Sequence, residues 1–396
     1  MPDIFKYDFT TLKKAILFNT KEILPSDPGQ LDQEIHFLVD NANQSGQKIR
    51  HYIGFEISGQ IHIGTGLAAA LKIKKLQDEG VICSIWLADY HTWLNNKLDG
   101  KIETIRLVAN QYFGPVMAQC LKVVGGNLDN FEILHSENYY HNHKTNNQTF
   151  WDFDLSVGKE LTLSRVLKSV SIMGKEAGDG VEFSTLRYPV MQVADAFFLQ
   201  THIVHAGLDQ RKCHVLMREV AHKLAADFKL RINSKSLAPL AIHHSLLHGL
   251  LAPETKDGVT EIAKMSKSKP DSAIWVHDSE EEIRRKIKGA FCPMPNANQS
   301  LEQIQNEQFY NPILNWCQNL IYPAGQIIKL QRPEKFGGDK LYSTFEELQQ
   351  DYFENKIHPM DLKNAVSNTL ILWLEPIREY ITSSPQGLEL VKSARK

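Results

Sequence analysis

The sequence has no uninterrupted apolar run approaching the roughly 18 residues that a membrane-spanning helix needs, so no membrane partner is expected. It also lacks paired cysteines. Five are scattered through the chain (Cys83, Cys120, Cys213, Cys292, Cys317) with no C-x-x-C spacing. That pattern implies neither a disulfide framework nor a zinc site, and a reducing, cytoplasmic setting is expected. Met1 to Asp8 carries acidic residues and no apolar signal core, which argues against secretion or organelle import. Neither charge sign dominates: 44 Lys and Arg face 46 Asp and Glu, a net charge of −2. A nucleic-acid partner would have to be held by local basic patches, since the surface as a whole is not basic. Internal repeats and low-complexity tracts are absent as well.

What is present suffices for a large core: 42% of the 396 residues are hydrophobic, which fits two or three domains. Residues 1–48 read as an N-terminal helical segment, with helices around 12–17 and 35–39 split by Pro25-Ser26-Asp27-Pro28-Gly29. From Tyr52 the pattern alternates. A strand through Tyr52, Ile53 and Phe55 precedes a helix over 67–77 that ends at Gly80, then a strand over 81–87 and a helix carrying Ile102, Ile105, Val108 and Tyr112. This alternation predicts an α/β, doubly wound parallel-sheet (Rossmann-type) catalytic domain over 49–290. Gly125-Gly126 and the polar stretch 138–149 flank a short strand over 131–134, and a long helical stretch follows over 153–173. These belong to an inserted helical connective segment over about 110–185. Ser279 and Glu282 make a capping-box pattern for a helix to Lys288, and Pro293, Pro295 and Asn296 to Asn298 then interrupt it. Residues 291–396 read as a C-terminal α-helical domain.

Two short segments carry the chemistry. His62-Ile63-Gly64-Thr65 sits where an apolar strand gives way to a helix, so backbone N–H groups and the positive helix end would face an anion. Gly54, Ser58, Gly59, Gly64 and Gly66 leave the backbone open enough for a nucleotide to approach. A histidine here can donate to a phosphate oxygen, or can simply be a satisfied turn residue. Lys264-Met265-Ser266-Lys267-Ser268 puts two cations on a small-residue loop. They can follow charge onto departing pyrophosphate, or lie in solvent as ordinary surface lysines.

A further cluster surrounds Pro189. Tyr188, Gln192 and Asp195 are spaced i, i+4, i+7 and share one helix face, while Val190, Met191, Val193, Ala194, Phe197 and Phe198 make the rest apolar. The helix should be buried almost all round, with Pro189 in its first turn. A buried carboxylate and amide cost roughly 1–3 kcal/mol or more when unpaired, which calls for a structural partner or a polar ligand. Asp209 can accept from a ribose or cap a helix, and His91 can be a core histidine.

Together these segments resemble the two signature motifs of class I aminoacyl-tRNA synthetases, and the surrounding chain is similar to the tyrosyl-tRNA synthetases of the archaeal and eukaryotic type. The likeness spans nearly everything from Tyr52 to the region of Ile381. It includes Leu87-Ala88-Asp89-Tyr90-His91, Asp209-Gln210-Arg211-Lys212, Arg332-Pro333-Glu334-Lys335-Phe336-Gly337-Gly338-Asp339 and His358-Pro359-Met360-Asp361-Leu362-Lys363. The resemblance implies ATP-dependent activation of L-tyrosine to tyrosyl-adenylate and transfer to tRNA(Tyr), without editing. ATP would be a substrate with Mg2+ on its phosphates, no protein-bound metal is expected, and the chain would form a homodimer through the insertion.

Residue by residue, the resemblance implies that Tyr52 and Asp195 hydrogen-bond the phenol hydroxyl, that Tyr188, Gln192 and Gln210 hold the α-amino group, and that His91 lies near the pocket. Gly54, His62, Gly64, Asp209, Lys264, Lys267 and Ser268 would bind ATP, with His62, Gly64, Thr65, Lys264 and Lys267 as the catalytic set. Lys168, Arg211 and Lys212, with Arg165, would approach the acceptor stem. Phe336, His358 and Asp361 would contact the anticodon, a splayed guanine stacking on an aromatic ring and donating to Asp361. Without the resemblance, Phe336 is a plain packing aromatic. Four positions depart from the family pattern. Thr65 replaces a second histidine, Ile57 a proline, Trp86 a smaller aliphatic residue, and Lys168 a frequent arginine.

Overall fold

A six-stranded sheet organises the molecule. The computed structural model describes residues 5–174, 182–256, 259–261, 265–266, 269–295 and 310–394. The strands are β1 (Thr20–Leu24), β2 (Arg50–Phe55), β3 (Ile82–Leu87), β4 (Phe131–His135), β5 (Ile203–Gly207) and β6 (Leu240–His244), in the spatial order β1-β6-β5-β2-β3-β4. All neighbours run parallel except β1, which pairs antiparallel with β6 at one edge. Helices cover both faces, so the central strands read as nearly continuous apolar runs.

The two-residue period of a strand then sorts side chains by face. Ile53, Cys83, Ile85, Ile203 and Ile242 enter one apolar cluster. Tyr52, Trp86, Val204 and Ala241 enter the other, together with Tyr188, Val193 and Phe197.

The N-terminal segment contains its two helices, Phe9–Leu17 capped by Asp8 and Pro28–Ser45 capped by Asp27, and between them the strand β1, which the sequence reading did not anticipate. Lys72 ties this segment to the sheet domain. Only 1% exposed, its ammonium donates to the carbonyls of Ala15 (3.1 Å), Ile16 (2.7 Å) and Phe18 at the C-terminal end of the first helix. The helix dipole places negative charge there. Burial nevertheless pulls the Lys72 pKa down to about 7.

Two local expectations are corrected. The helical stretch expected over 153–173 is divided into Phe150–Glu160, Leu163–Ser169 and a short 3-10 turn at Val170–Met173, the first piece closed at its start by a Thr149–Asp152 capping box. The site helix runs Phe183–Phe198, so Pro189 is interior and not first-turn. It gives up one backbone hydrogen bond in a helix that burial holds in place.

At the C-terminal end, the long helix Pro359–Ser383 begins at the His358 N-cap and packs back on the sheet domain. Its Trp373 indole donates to the Val123 carbonyl at 3.0 Å, and Trp316, Tyr342 and Leu370 share an apolar cluster with Ile53 and Ile85.

Candidate active site

A cavity of about 470 Å3 lies at the carboxyl ends of β2, β3, β5 and β6. Open α/β sheets bind ligands at this edge. Its walls include Tyr52, Gly54, His62, Gly64 and Thr65, with Asp195 and Gln192 opposite.

The helix after β2 spans Ile63–Asp78, starting four residues before the sequence reading placed it. His62 is its N-cap: Nδ1 accepts from the Thr65 N–H at 3.2 Å, and Nε2 lies 3.1 Å from Thr65 Oγ1. With Nδ1 accepting, the proton sits on Nε2 in the neutral ring, which makes Nε2 the donor. The second motif meets the first through its successor segment. Ile63 N–H donates to the Ile274 carbonyl, and Val276 N–H to that of Ile61, both at 3.0 Å. Met265 completes the junction. A Cβ on Gly64 would stand 3.1 Å from His62 Nδ1 and 3.2 Å from the Met265 sulfur, so only glycine fits without displacing one of them. Lys264, Lys267 and Ser268 lie outside the described residues.

The far end of the cavity is lined by groups from the site helix and from β2 and β3. Asp195, 1% exposed, accepts a 2.7 Å hydrogen bond from the Tyr140 hydroxyl on Oδ1. Its Oδ2 is 3.8 Å from His91 Nε2. Burial drives the Asp195 pKa well above the usual carboxylate range, opposed by hydrogen bonding from Tyr140 and by the nearby Trp86 indole. His91, 2% exposed, is held neutral by burial, its pKa lowered to about 3, so the pair is not an ion pair at physiological pH. Tyr188 donates to Glu56 Oε1 at 2.9 Å, which leaves its oxygen lone pairs for an incoming ammonium. Gln192 and Gln210 face each other at 3.4 Å. Gln210 also donates to Asp209 Oδ2 at 3.0 Å, which brings Asp209 to the cavity rim. Gly207 allows that placement, because a Cβ there would stand 2.5 Å from Asp209 Oδ1.

Among the described residues, four buried polar atoms at this end have no well-formed hydrogen bond: Trp86 Nε1, both nitrogens of His91, and Gln192 Oε1. Each is costly to leave unpaired, and together they mark a place for a polar ligand. The sequence reading named His91 and Gln192 here. It did not place Glu56, Tyr140 or Trp86 among the site residues. It also missed an imidazole chain along β2, β5 and β6, where His51 Nε2 lies 3.2 Å from His205 Nδ1 and His205 Nε2 lies 2.8 Å from His244 Nδ1.

A second, more open hollow of about 510 Å3 is lined by Arg165, Lys168, Arg211 and Lys212. These expected acceptor-stem residues are brought together, and three have partners. Arg165 pairs with Glu219, Arg211 with Glu22 at 2.7 Å, and Lys212 donates to Ser171 Oγ at 2.8 Å. In the C-terminal region, Phe336 is 61% exposed on the turn Glu334–Phe336. Arg332 ties that turn to the start of the long helix, donating to the carbonyls of Gly338 (3.1 Å) and Lys356 (2.9 Å). Phe336, His358 and Asp361 are thus held on two linked segments.

The sequence profile of the family described as tRNA synthetases class I (W and Y) matches residues 44–375. Among curated relatives, the tyrosine--tRNA ligase of Thermococcus sibiricus is 44% identical over 370 residues, 90% of this chain and 94% of that protein. The crystal structure of tyrosyl-tRNA synthetase complexed with L-tyrosine from Pyrococcus horikoshii superimposes with a TM-score of 0.86 at 40% identity, covering 98% of this chain and 100% of that one. The tryptophanyl-tRNA synthetase of Aeropyrum pernix shares the fold, with a TM-score of 0.62 at 17% identity over 93% of this chain and 85% of that one.

Proposed function

The chain belongs to the class I aminoacyl-tRNA synthetases of the tryptophan and tyrosine kind, and we propose that it joins L-tyrosine to tRNA(Tyr) in two steps. In the first, a tyrosine carboxylate oxygen attacks the α-phosphorus of ATP, the bond to the β-phosphate oxygen breaks, and pyrophosphate leaves with tyrosyl-adenylate retained. In the second, a ribose hydroxyl at the 3′ end of tRNA attacks the activated carbonyl and AMP departs. The substrate carboxylate is itself the nucleophile, so the protein contributes position and charge.

His62 Nε2–H donates to an α-phosphate oxygen as negative charge builds there. Lys264 and Lys267 would neutralise the departing pyrophosphate, and Mg2+ would come with the ATP phosphates. Gln192, Gln210 and the Tyr188 oxygen hold the α-amino group, and Asp209 accepts from the ribose.

The single observation that carries the choice of amino acid is Asp195, a buried carboxylate at the closed end of the cavity. A phenol gives it a second donor beside Tyr140, whereas phenylalanine leaves the carboxylate desolvated with nothing in that donor's place, so selection needs no editing step. Pyrophosphate exchange run against each amino acid in turn tests the reading. Exchange with tyrosine alone is expected, and exchange driven by tryptophan, or by none, overturns it.

The basic hollow receives the acceptor stem, and Phe336, His358 and Asp361 the anticodon. A second copy of the chain pairs through the insertion, whose apolar side chains Leu155 (63% exposed), Leu163 (63%) and Trp151 (40%) are left uncovered in the single chain. A monomer in sedimentation at micromolar concentration would refute the pairing.

A further inference from the structure

We propose that Trp86 is a specificity-determining residue of the amino-acid pocket: its indole N–H donates to the phenol oxygen of bound tyrosine, while Asp195, held from behind by Tyr140, accepts the phenol proton. The inference rests on the tyrosine reading above and goes beyond it by naming who supplies the donor.

A phenol hydroxyl brings one proton to give and lone pairs to receive with. Once buried it needs both kinds of partner. With Asp195 accepting the phenol proton, its carboxyl gives no donor to the phenol oxygen. The donor must come from elsewhere, and Trp86 offers one. It sits on β3 opposite Gly54 of β2, 1% exposed, on the cavity wall. Its indole N–H is buried, has no well-formed hydrogen bond among the described residues, and lies near enough to Asp195 to hold that carboxyl's pKa down against burial. Across the strand pair a Cβ at Gly54 would make ordinary contact with Trp86 Cδ1 and the Tyr52 ring, both at 3.7 Å, so the three positions share one stretch of wall.

Tyr140 fixes the acceptor. It does not line the cavity, yet its hydroxyl takes Asp195 Oδ1 at 2.7 Å. Its ring is clamped by stacking on Phe150, with centroids 3.5 Å apart, and on Tyr90 at 5.5 Å. The Trp86 ring in turn packs edge-on against Tyr139 and at a tilt against Tyr140, with centroids 5.7 and 5.5 Å away. Aromatic packing therefore orients both the donor and the residue that steadies the acceptor. A side chain without a hydroxyl would leave the Trp86 N–H and the Asp195 oxygen that Tyr140 does not take both short of the phenol, so the penalty against phenylalanine is counted at two groups.

The test compares tyrosine- and phenylalanine-dependent pyrophosphate exchange in the full-length wild type, Trp86→Phe and Tyr140→Phe. In Trp86→Phe, kcat/KM for tyrosine should fall about tenfold while that for phenylalanine stays within about twofold, so the discrimination ratio narrows; Tyr52 remains as a donor and prevents complete loss. Tyr140→Phe keeps the ring stack, removes the clamp and should narrow the ratio in the same direction. Equal losses for both amino acids, or an unchanged ratio, would overturn the proposal. A measurement on the wild type needs no substitution at the pocket. With 15N-labelled tryptophan, the Trp86 indole signal, assigned by its absence in Trp86→Phe or its displacement in Tyr140→Phe, should shift with saturating tyrosine and not with phenylalanine. An equal shift with both would sink it. Should the wild type exchange with another amino acid and not with tyrosine, the tyrosine reading fails and this inference with it. A tyrosine-specific wild type whose ratio survives Trp86→Phe refutes only the role of Trp86.

Discussion

The enclosed cavity and the basic hollow are built from opposite materials. In the cavity, polar atoms are buried and short of partners, as at Trp86, His91 and Gln192. In the hollow, Arg165, Arg211 and Lys212 stand in or near solvent and their hydrogen bonds are already met by Glu219, Glu22 and Ser171. A group that is desolvated and unpaired gains much from the right ligand and loses much with the wrong one, which is the physical basis of selectivity. A solvated cation that must leave one partner for another gains little per contact. Screening by salt reduces it further, so the hollow contributes affinity through the number of its charges. The cavity chooses, and the hollow holds.

The largest expected effect comes from the neutrality that the buried side imposes. Burial lowers the pKa of His51, His91 and His214 to about 3, and of His202 and His244 to about 4. Above pH 6.5 these rings are uncharged whether the chain is folded or not, so they do not affect stability there. As pH falls below 6.5 the unfolded chain takes up protons that the folded chain refuses until pH approaches 3 to 4, and stability is lost across that window. Each such group can contribute up to about 1.4 kcal/mol per pH unit, so even a fraction of the sum amounts to several kcal/mol by pH 5. Urea midpoints at pH 7, 6 and 5 should drop steeply. A flat series would show that the buried imidazoles accept protons in place.

Next in size is Asp195→Ala. Removing the buried acceptor also strands the Tyr140 hydroxyl, and losses of this kind reach about 3–5 kcal/mol. Tyrosine-dependent exchange should fall by about 10³-fold with the fold intact by circular dichroism. Activity retained with unaltered discrimination against phenylalanine would remove Asp195 from the pocket's chemistry. The hollow should respond far less. Lys168→Ala or Arg211→Ala should slow tRNA charging by several-fold, leave exchange untouched and lower the salt dependence of tRNA binding by about one ion. A loss of exchange in either variant would erase the contrast between the two regions.

How much of this was legible in the sequence follows the same division. β2, the motif helix and the face shared by Tyr188, Gln192 and Asp195 were readable because their periodicity is local. β1 was not, since Thr20, Lys21 and Glu22 run together before Ile23 and Leu24 on an edge strand between two helices, so no two-residue alternation shows and a short polar connection is the usual reading. Tyr140 was hidden for a different reason. It lies in a polar tract without a period, and its role comes from stacking on Phe150 and from a carboxylate 55 residues further along. Trp86 was visible as a departure in size. That its N–H would be left unpaired depends on what surrounds it, which no spacing encodes.

The smallest effect concerns Thr65, which stands where the family pattern has a second histidine. Its hydroxyl lies 3.1 Å from His62 Nε2 and its backbone N–H caps Nδ1, so the threonine holds the one remaining ring at both nitrogens. Thr65→Val keeps the backbone cap and the branched shape but removes the hydroxyl. His62 would then lose one orienting contact and keep its tautomer, because Nδ1 still accepts from the backbone. The expected result is a fall of about two- to fivefold in the rate of adenylate formation, with the KM for tyrosine unchanged, since the amino-acid end of the cavity is untouched. Single-turnover kinetics would separate the two. A change in tyrosine KM would mean that the motif and the pocket are coupled, and the cavity would have to be treated as one responsive unit instead of a selecting end joined to a reacting end.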